Sequence, residues 1–298
     1  MKLSNPKVES LTMNQLIKDL NVFKNSIVVL MLIGLITMSC STKEDEAAEI
    51  DNQIDNTLEV KYSTEIDQVD NALGDLIIQI YEAEESDTSG RLTQLRDVPE
   101  CITMAVIIQQ GYRQVTIDFG TEGCMVRGHL LRGQIVFDYT RDSEAQEITI
   151  NYNLVDFYFD AKNIIASRSI LKEKSNENGN PQFTHDLSIT VIWPNGMQAS
   201  REGSRIREWV EGFGTGSFND NVFEITGNWT ATFVNGNTHN YDVILPLRRE
   251  VGCTYFVSGT FNVQRTNFGG LFDYGDGQCD NQASFTFNNG QVLEITLN

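Results

Sequence analysis

From Cys101 to the C-terminus, apolar residues recur at every second position. Val115, Ile117 and Phe119 alternate with polar neighbours, as do Ile135, Phe137 and Tyr139, then Ile148, Ile150 and Tyr152. Further alternating runs cover 154–160, 163–171, 183–193, 222–233, 240–249, 253–264, 283–287 and 291–297. Successive side chains of a strand point to opposite faces, so a period of two marks strands with one buried face. Turn signals separate many of the runs: Asn178-Gly179-Asn180, Pro194-Asn195-Gly196, Asn235-Gly236-Asn237 and Asn289-Gly290. Asn-Gly between alternating runs is the strongest short-range hairpin signal. No helical period lies between the runs, which excludes the crossovers that parallel strands need. The fold class expected is mainly β, a long antiparallel up-and-down meander of about a dozen strands. Several runs reach about 10–12 residues, roughly 35–40 Å at ~3.3 Å per residue. Strands of that length must curl, close or fold over to hide their inner face, which gives a curved sheet or incomplete barrel.

One helix precedes the strands. Ile66, Val69, Leu73, Leu76, Ile77 and Ile80 recur at steps of three and four, so 63–84 reads as an amphipathic helix. Ser63 or Thr64 caps it, and Glu65 and Asp67 favour its dipole from the first turn. A single apolar stripe needs a larger body to cover it, so the helix is expected to pack against the concave or open side of the sheet.

The N-terminal stretch carries an address. Lys24-Asn25-Ser26 precede a twelve-residue apolar run, Ile27 to Met38, and Ser39-Cys40 follow. That order is a secretory signal, and the run is shorter than the ~20 apolar residues of a spanning helix. Met38-Ser39-Cys40 resembles a bacterial lipobox, which implies a lipidated Cys40 as the first mature residue. Lys43-Glu44-Asp45-Glu46 resembles the acidic export tag of Bacteroidota surface lipoproteins. The domain reading is a signal peptide over 1–39, an acidic disordered tether over 40–60, and a single mainly-β domain over 61–298. Low hydrophobicity and high charge argue for the tether.

Charge narrows the partners. Residues 1–39 hold four lysines and two acidic residues, so the part from Cys40 carries 18 basic and 39 acidic side chains, net −21. Such a body repels phosphates, so nucleic acid is not expected as a partner. The membrane is reached through the N-terminal lipid, with a glycan, lipid or protein partner left open. Apart from Cys40 the cysteines are Cys101, Cys124, Cys253 and Cys279. An even count in an exported chain points to disulfides. Sequence allows three pairings, and Cys101–Cys124 with Cys253–Cys279 is favoured because each closes a loop between near-adjacent strands. The spacing of the four does not suit a zinc site.

Two stretches echo each other. Thr116-Ile117-Asp118-Phe119-Gly120-Thr121-Glu122-Gly123-Cys124 parallels Gly270-Leu271-Phe272-Asp273-Tyr274-Gly275-Asp276-Gly277-Gln278-Cys279. The run Cys101…Asp118-Phe119-Gly120…Gly123-Cys124…Arg132-Gly133-Gln134-Ile135, with Arg205-Ile206-Arg207-Glu208-Trp209-Val210-Glu211-Gly212 and Asp273 to Asp280, resembles a family of Flavobacteria-type Bacteroidota outer-membrane lipoproteins. The resemblance covers roughly residues 95–298 and implies no activity.

Candidate chemistry is sparse. Asp273, Asp276 and Asp280, with Gly275 and Gly277, are the calcium candidates, although Cys279 interrupts them and Asp and Gly are also common turn formers. His129, His185 and His239 are scattered and are read as satisfied surface residues. Arg205, Arg207 and Trp209 share one strand face with Arg201 nearby. They are read either as a solvent-side stripe binding a sugar or carboxylate, with Trp209 as a stacking plate, or as an ion ladder with Trp209 in the core. No serine elbow or catalytic pair is present, so no cofactor is expected and the chain is read as non-catalytic. The expected role is a lipid-anchored binding or structural module of the outer membrane, displayed on the cell surface. The alternative is a carrier of an apolar ligand in the hollow of the sheet, and a glycan-active enzyme is third.

Overall fold

The computed structural model describes residues 42–86 and 98–297. The expected signal peptide, 1–39, and Cys40 lie outside the described residues. The chain divides into two compact units, Met1–Thr57 and Leu58–Asn298. The second holds the whole sheet and is the unit described below.

Among the described residues there is one helix, α1 (Thr42–Ser86), and fifteen strands in one sheet. The strands are β1 (Thr103–Gln109), β2 (Tyr112–Asp118), β3 (Cys124–Val126), β4 (His129–Thr140), β5 (Glu147–Phe159), β6 (Lys162–Glu173), β7 (Gln182–Asp186) and β8 (Ile189–Ile192). They continue as β9 (Gln198–Glu211), β10 (Val222–Phe233), β11 (Thr238–Glu250), β12 (Ser258–Arg265), β13 (Phe268–Asp276), β14 (Gln282–Phe287) and β15 (Val292–Thr296). Their order in the sheet follows the chain, and every pairing is antiparallel, as the missing crossovers required. β7 and β8 both lie between β6 and β9 as one interrupted strand, and β3 is a short hairpin partner of β4.

The Asn-Gly signals all fall at connections. Asn195, Asn235 and Asn289 each accept, through Oδ1, the N–H two residues on, at 2.9–3.0 Å. These local bonds satisfy backbone that the ladders cannot reach. The two echoing segments also share a conformation. Asp118 Oδ1 accepts the Gly120 N–H and Asp273 Oδ1 accepts the Gly275 N–H, both at 2.8 Å. Both glycines have positive φ, at 71° and 97°. Both segments end at a disulfide: Cys101–Cys124 and Cys253–Cys279 are the two bonded pairs, with Cα atoms 5.6 and 5.5 Å apart.

The sheet is a partial ring, and α1 occupies its inside. From Glu59 to Glu84 most of the helix is buried on every face. Ile66, Val69, Leu73, Ile77 and Ile80 join one core with Ile117, Ile135, Phe137, Ile170, Phe183, Phe223, Phe261 and Phe272 from the inner face. This extends the sequence reading in two ways. The helix is longer than 63–84 and begins at Thr42, inside the stretch expected to be a disordered tether. Its polar face, for which the apolar stripe alone gave no partner, is also buried. None of the described helices is long and apolar enough to cross a membrane.

Candidate functional site

The polar face of α1 meets an arginine-rich inner wall. Along the helix, Glu59, Asp67, Asp70, Asp75 and Glu84 are buried. On the strands, Arg168 in β6, Arg201, Arg205 and Arg207 in β9, and His239 and Arg249 in β11 are buried and face them. Alternation explains the placement. Arg168 has the parity of Ile164, Ala166 and Ile170, all inward, and Arg205 and Arg207 have the parity of inward Trp209.

Three aspartates anchor the middle of the helix. Arg201 Nη1 donates to Asp67 Oδ1 at 2.6 Å, and its Nη2 donates to the Ser63 carbonyl at 2.9 Å. Arg205 also donates to Asp67, and the Tyr274 hydroxyl donates to Asp67 Oδ2 at 3.0 Å. Arg168 donates to Asp70 at 2.7 Å. Asp75 takes Arg207 on Oδ1, and on Oδ2 it takes Arg249 at 2.9 Å and Arg127 at 3.4 Å. Burial pushes the Asp75 carboxyl up, but Arg249, Arg207 and Arg127 outweigh it and hold the group at about 2. Asp70 is likewise lowered against its burial, by Arg168, Arg201 and Arg205. Removing either partner of such a pair leaves an unpaired buried charge, which makes these sites sensitive.

Further bonds fix both ends of the buried stretch of α1, Glu59 to Glu85. Glu59 Oε1 accepts from the amides of Asn235 and Asn237, in the β10–β11 turn, at 2.7 and 2.8 Å. Its Oε2 lies 2.6 Å from His239 Nε2. Trp193 Nε1 donates to Glu65 at 2.7 Å. At the far end, Arg141 Nη2 donates to the Glu85 carbonyl at 2.9 Å and Lys172 pairs with Glu82. Gly74 sits mid-helix, where glycine costs about 1 kcal/mol relative to alanine. A Cβ there would overlap Arg207 Nη1, so the bare backbone admits the guanidinium.

The predicted site residues are therefore redistributed. Arg205, Arg207 and Trp209 do share a face, but that face is the interior. The solvent-side stripe is corrected: the three are only 3%, 2% and 4% exposed. Trp209 sits among Phe183, Phe213, Phe218 and Phe223, with ring centroids 5.0–6.2 Å away, and Arg205 stacks on Trp229 instead, at 3.9 Å. His185 and His239 are buried, not surface residues. Burial, then Arg207, Arg168 and Arg205, hold His185 well below its ordinary value, so it is neutral. His129 is half-buried and its Nδ1 lies 3.0 Å from Asp160 Oδ2. Asp273, Asp276 and Asp280 are not brought together. Among the described residues no group of three or more His, Cys, Asp or Glu could hold a metal ion.

An open space lies beside the helix. A cleft of about 410 Å³ lies between the β3–β4 hairpin and the β11–β12 connection, floored by Asn71, Ala72 and Leu76 of α1. Its volume is in the range of small-molecule sites, roughly 300–1,000 Å³. The sequence did not single it out, because its walls come from five separate stretches of chain. Comparison with known proteins finds no matching family model, curated protein or solved structure.

Proposed function

We propose that this protein is a lipid-anchored module of the outer membrane, displayed on the cell surface, that binds or supports a partner without turning over a substrate. Cys40 carries the lipid. The support is the order of Lys24, the apolar run and Ser39-Cys40, together with two disulfides in a chain so placed. Two lipid signals already give stable membrane attachment, so a multiply acylated cysteine suffices without help from the acidic body. Membership of the Bacteroidota lipoprotein family named above belongs to the same reading.

The observation that carries the proposal is the occupation of the ring by α1. The helix that starts two residues after Cys40 is the same helix whose Asp67, Asp70 and Asp75 are bonded inside the sheet. A ring filled by its own helix suits a binding or structural body. The apolar-carrier alternative needs a hollow sheet. With α1 in that space the ring is packed rather than hollow, and the cleft beside the helix has Arg127 and Arg249 in its wall.

Metabolic labelling with a clickable acyl precursor tests the anchor. The wild type should incorporate label and fractionate with the outer membrane, and the Cys40→Ala variant should do neither. Equal labelling of the two would remove the proposal. Protease treatment of intact cells tests display: a body cut only after the outer membrane is broken faces the periplasm.

A further inference from the structure

Among the described residues the sheet ends at β1 on one side and β15 on the other. The two edges are finished differently. β15 carries Glu294 at its centre, whereas β1, Thr103 to Gln109, holds no charged residue and no proline. The register of β1 with β2 is unbroken from Thr103↔Asp118 to Gln109↔Tyr112, so no bulge twists it away. Charges, prolines and bulges are what keep an edge from pairing, and β1 has none of them. The core also runs out at this edge. Met104, Val106 and Ile108 lie on the face of Val115 and Ile117 in β2, which are fully buried. Met104 and Val106 are only half-buried, and Ile108 is 48% exposed. The same three residues hold the open backbone. Gln110 and Gly111, both at positive φ, form the two-residue turn that closes on a hydrogen-bonded Gln109–Tyr112 pair. Alternation then turns the N–H and C=O groups of Met104, Val106 and Ile108 away from β2.

We propose that β1 is the interface of a two-fold dimer of this chain, formed by antiparallel β1–β1 pairing about Val106. That axis sets Met104 against Ile108 of the partner subunit, Ala105 against Ile107 of the partner subunit and Thr103 against Gln109 of the partner subunit. Apolar residues meet apolar ones, the polar ends meet each other, and open N–H groups meet open C=O groups at Met104, Val106 and Ile108. No charges oppose each other, which matters in a chain of net charge −19. The same operation on β15 would set Glu294 against its own copy, and like charges directly opposite are destabilising. Pairing β1 with β15 of another copy would leave an edge free at each end and build an open chain rather than a closed pair. A strand of seven residues buries less than the ~1,200–2,000 Å² of a standard interface, so a micromolar dimer is expected. The inference does not rest on the lipid anchor.

The test is sedimentation equilibrium of the full-length protein in density-matched detergent, with micelles in excess over protein. The wild type should pass from monomer to dimer between about 1 and 100 µM. Val106→Pro removes an N–H that points away from β2, so it spares the β1–β2 ladder and should weaken the dimer at least about tenfold. Ile107→Glu replaces an exposed side chain and sets two carboxylates ~7–8 Å apart across the pair, so it should weaken the dimer to a similar extent. Thermal unfolding checks both variants, and Ile107→Glu decides if the proline variant does not fold. The register is read by cross-linking. Val106→Cys lies on the two-fold axis and should form a disulfide with its own copy, under mild oxidation, at least about tenfold faster than Val292→Cys on β15. A wild type still monomeric at about 500 µM would overturn the proposal and leave the edge to a different partner. A dimer that either folded variant leaves as tight as the wild type, or cross-linking at Val106→Cys no faster than at Val292→Cys, would overturn it equally.

Discussion

At the scale of single residues, Asp75 is the carboxylate that gathers three arginines. Three guanidiniums share it, from β9, β11 and the β3–β4 hairpin. Asp75→Asn keeps the shape and removes the charge, so it should cost about 3–5 kcal/mol, read from urea unfolding at neutral pH. A cost under about 1 kcal/mol would mean that the arginines are balanced elsewhere. Acid should act through the same groups. The folded Asp75 carboxyl sits at about 2, below its ordinary 3.8, so the unfolded chain takes the proton first. Its contribution is whole above the ordinary value and is lost as pH falls toward about 2, and Asp70 acts in the same direction. His185 adds an earlier loss. It is held well below 6.5 when folded, so acidification below 6.5 favours the unfolded, protonated form. His185→Asn should therefore flatten the stability–pH curve just below pH 6.5 and leave the deeper acid limb in place. An unchanged slope would contradict the buried, neutral histidine. The β9 arginine stripe was legible from parity, but its destination was not. Buried arginine is rare unless paired, so a charged face reads as solvent by default, and the partner of Arg207 lies 132 residues away in the chain.

At the scale of elements, alternation located most of the strands but no run was named for β1, β3, β9 or β13, and two of the departures have a structural cause. β5 reads as two runs, 148–152 and 154–160, because its inward parity flips: Ile148, Ile150 and Tyr152 face in, then Phe157 and Phe159 do. The flip is a bulge, marked by the register shift between Asn153 and Tyr158 and by Asp156 at φ 47°. Gly133 of β4, at φ 85°, makes room for it, since a Cβ there would meet the Asp156 carbonyl. β13 was read only as an echo rich in glycine, because Gly269 and Gly270 hide its alternation. The helix was legible as a helix, but nothing in its spacing showed that its polar face would be buried too. Asp67, Asp70 and Asp75 look like an ordinary solvated face until the arginines opposite are seen. Each disulfide ties together two segments that do not pair with each other in a ladder. They span separations of 23 and 26 residues. Each should contribute about 3 kcal/mol by restricting the unfolded chain. Replacing Cys253 and Cys279 together by serine should lower the unfolding free energy by about that amount, and reductant, which opens both bridges in the wild type, should lower it by about twice as much. A midpoint indifferent to reductant would show that the bridges do not form in solution.

At the scale of the whole molecule, the sheet and the helix cannot be separate folding units. The inner face of the sheet carries Arg168, Arg201, Arg205, Arg207 and Arg249, all buried, and their carboxylates are on α1. A ring without the helix would hold five guanidiniums in its interior with those counter-charges gone. Each uncompensated buried charge costs several kcal/mol, and the total stability of a domain is only about 5–15 kcal/mol. The ring would also expose to water the apolar core that Ile66, Val69, Leu73, Ile77 and Ile80 cover. A chain beginning at residue 98 should therefore show no cooperative thermal transition and no near-ultraviolet circular dichroism from its packed aromatics. Adding a synthetic peptide of residues 58–86 should restore both in proportion to the peptide bound. The same peptide with Asp67, Asp70 and Asp75 changed to asparagine should fail to do so, because its apolar stripe is unchanged and only the counter-charges are lost. If the sheet alone melts cooperatively near the midpoint of the full chain, then the ring is the stable scaffold and α1 is a passenger. If the neutralised peptide restores the fold as well as the native one, apolar burial alone holds the helix in place and the ion pairs are incidental.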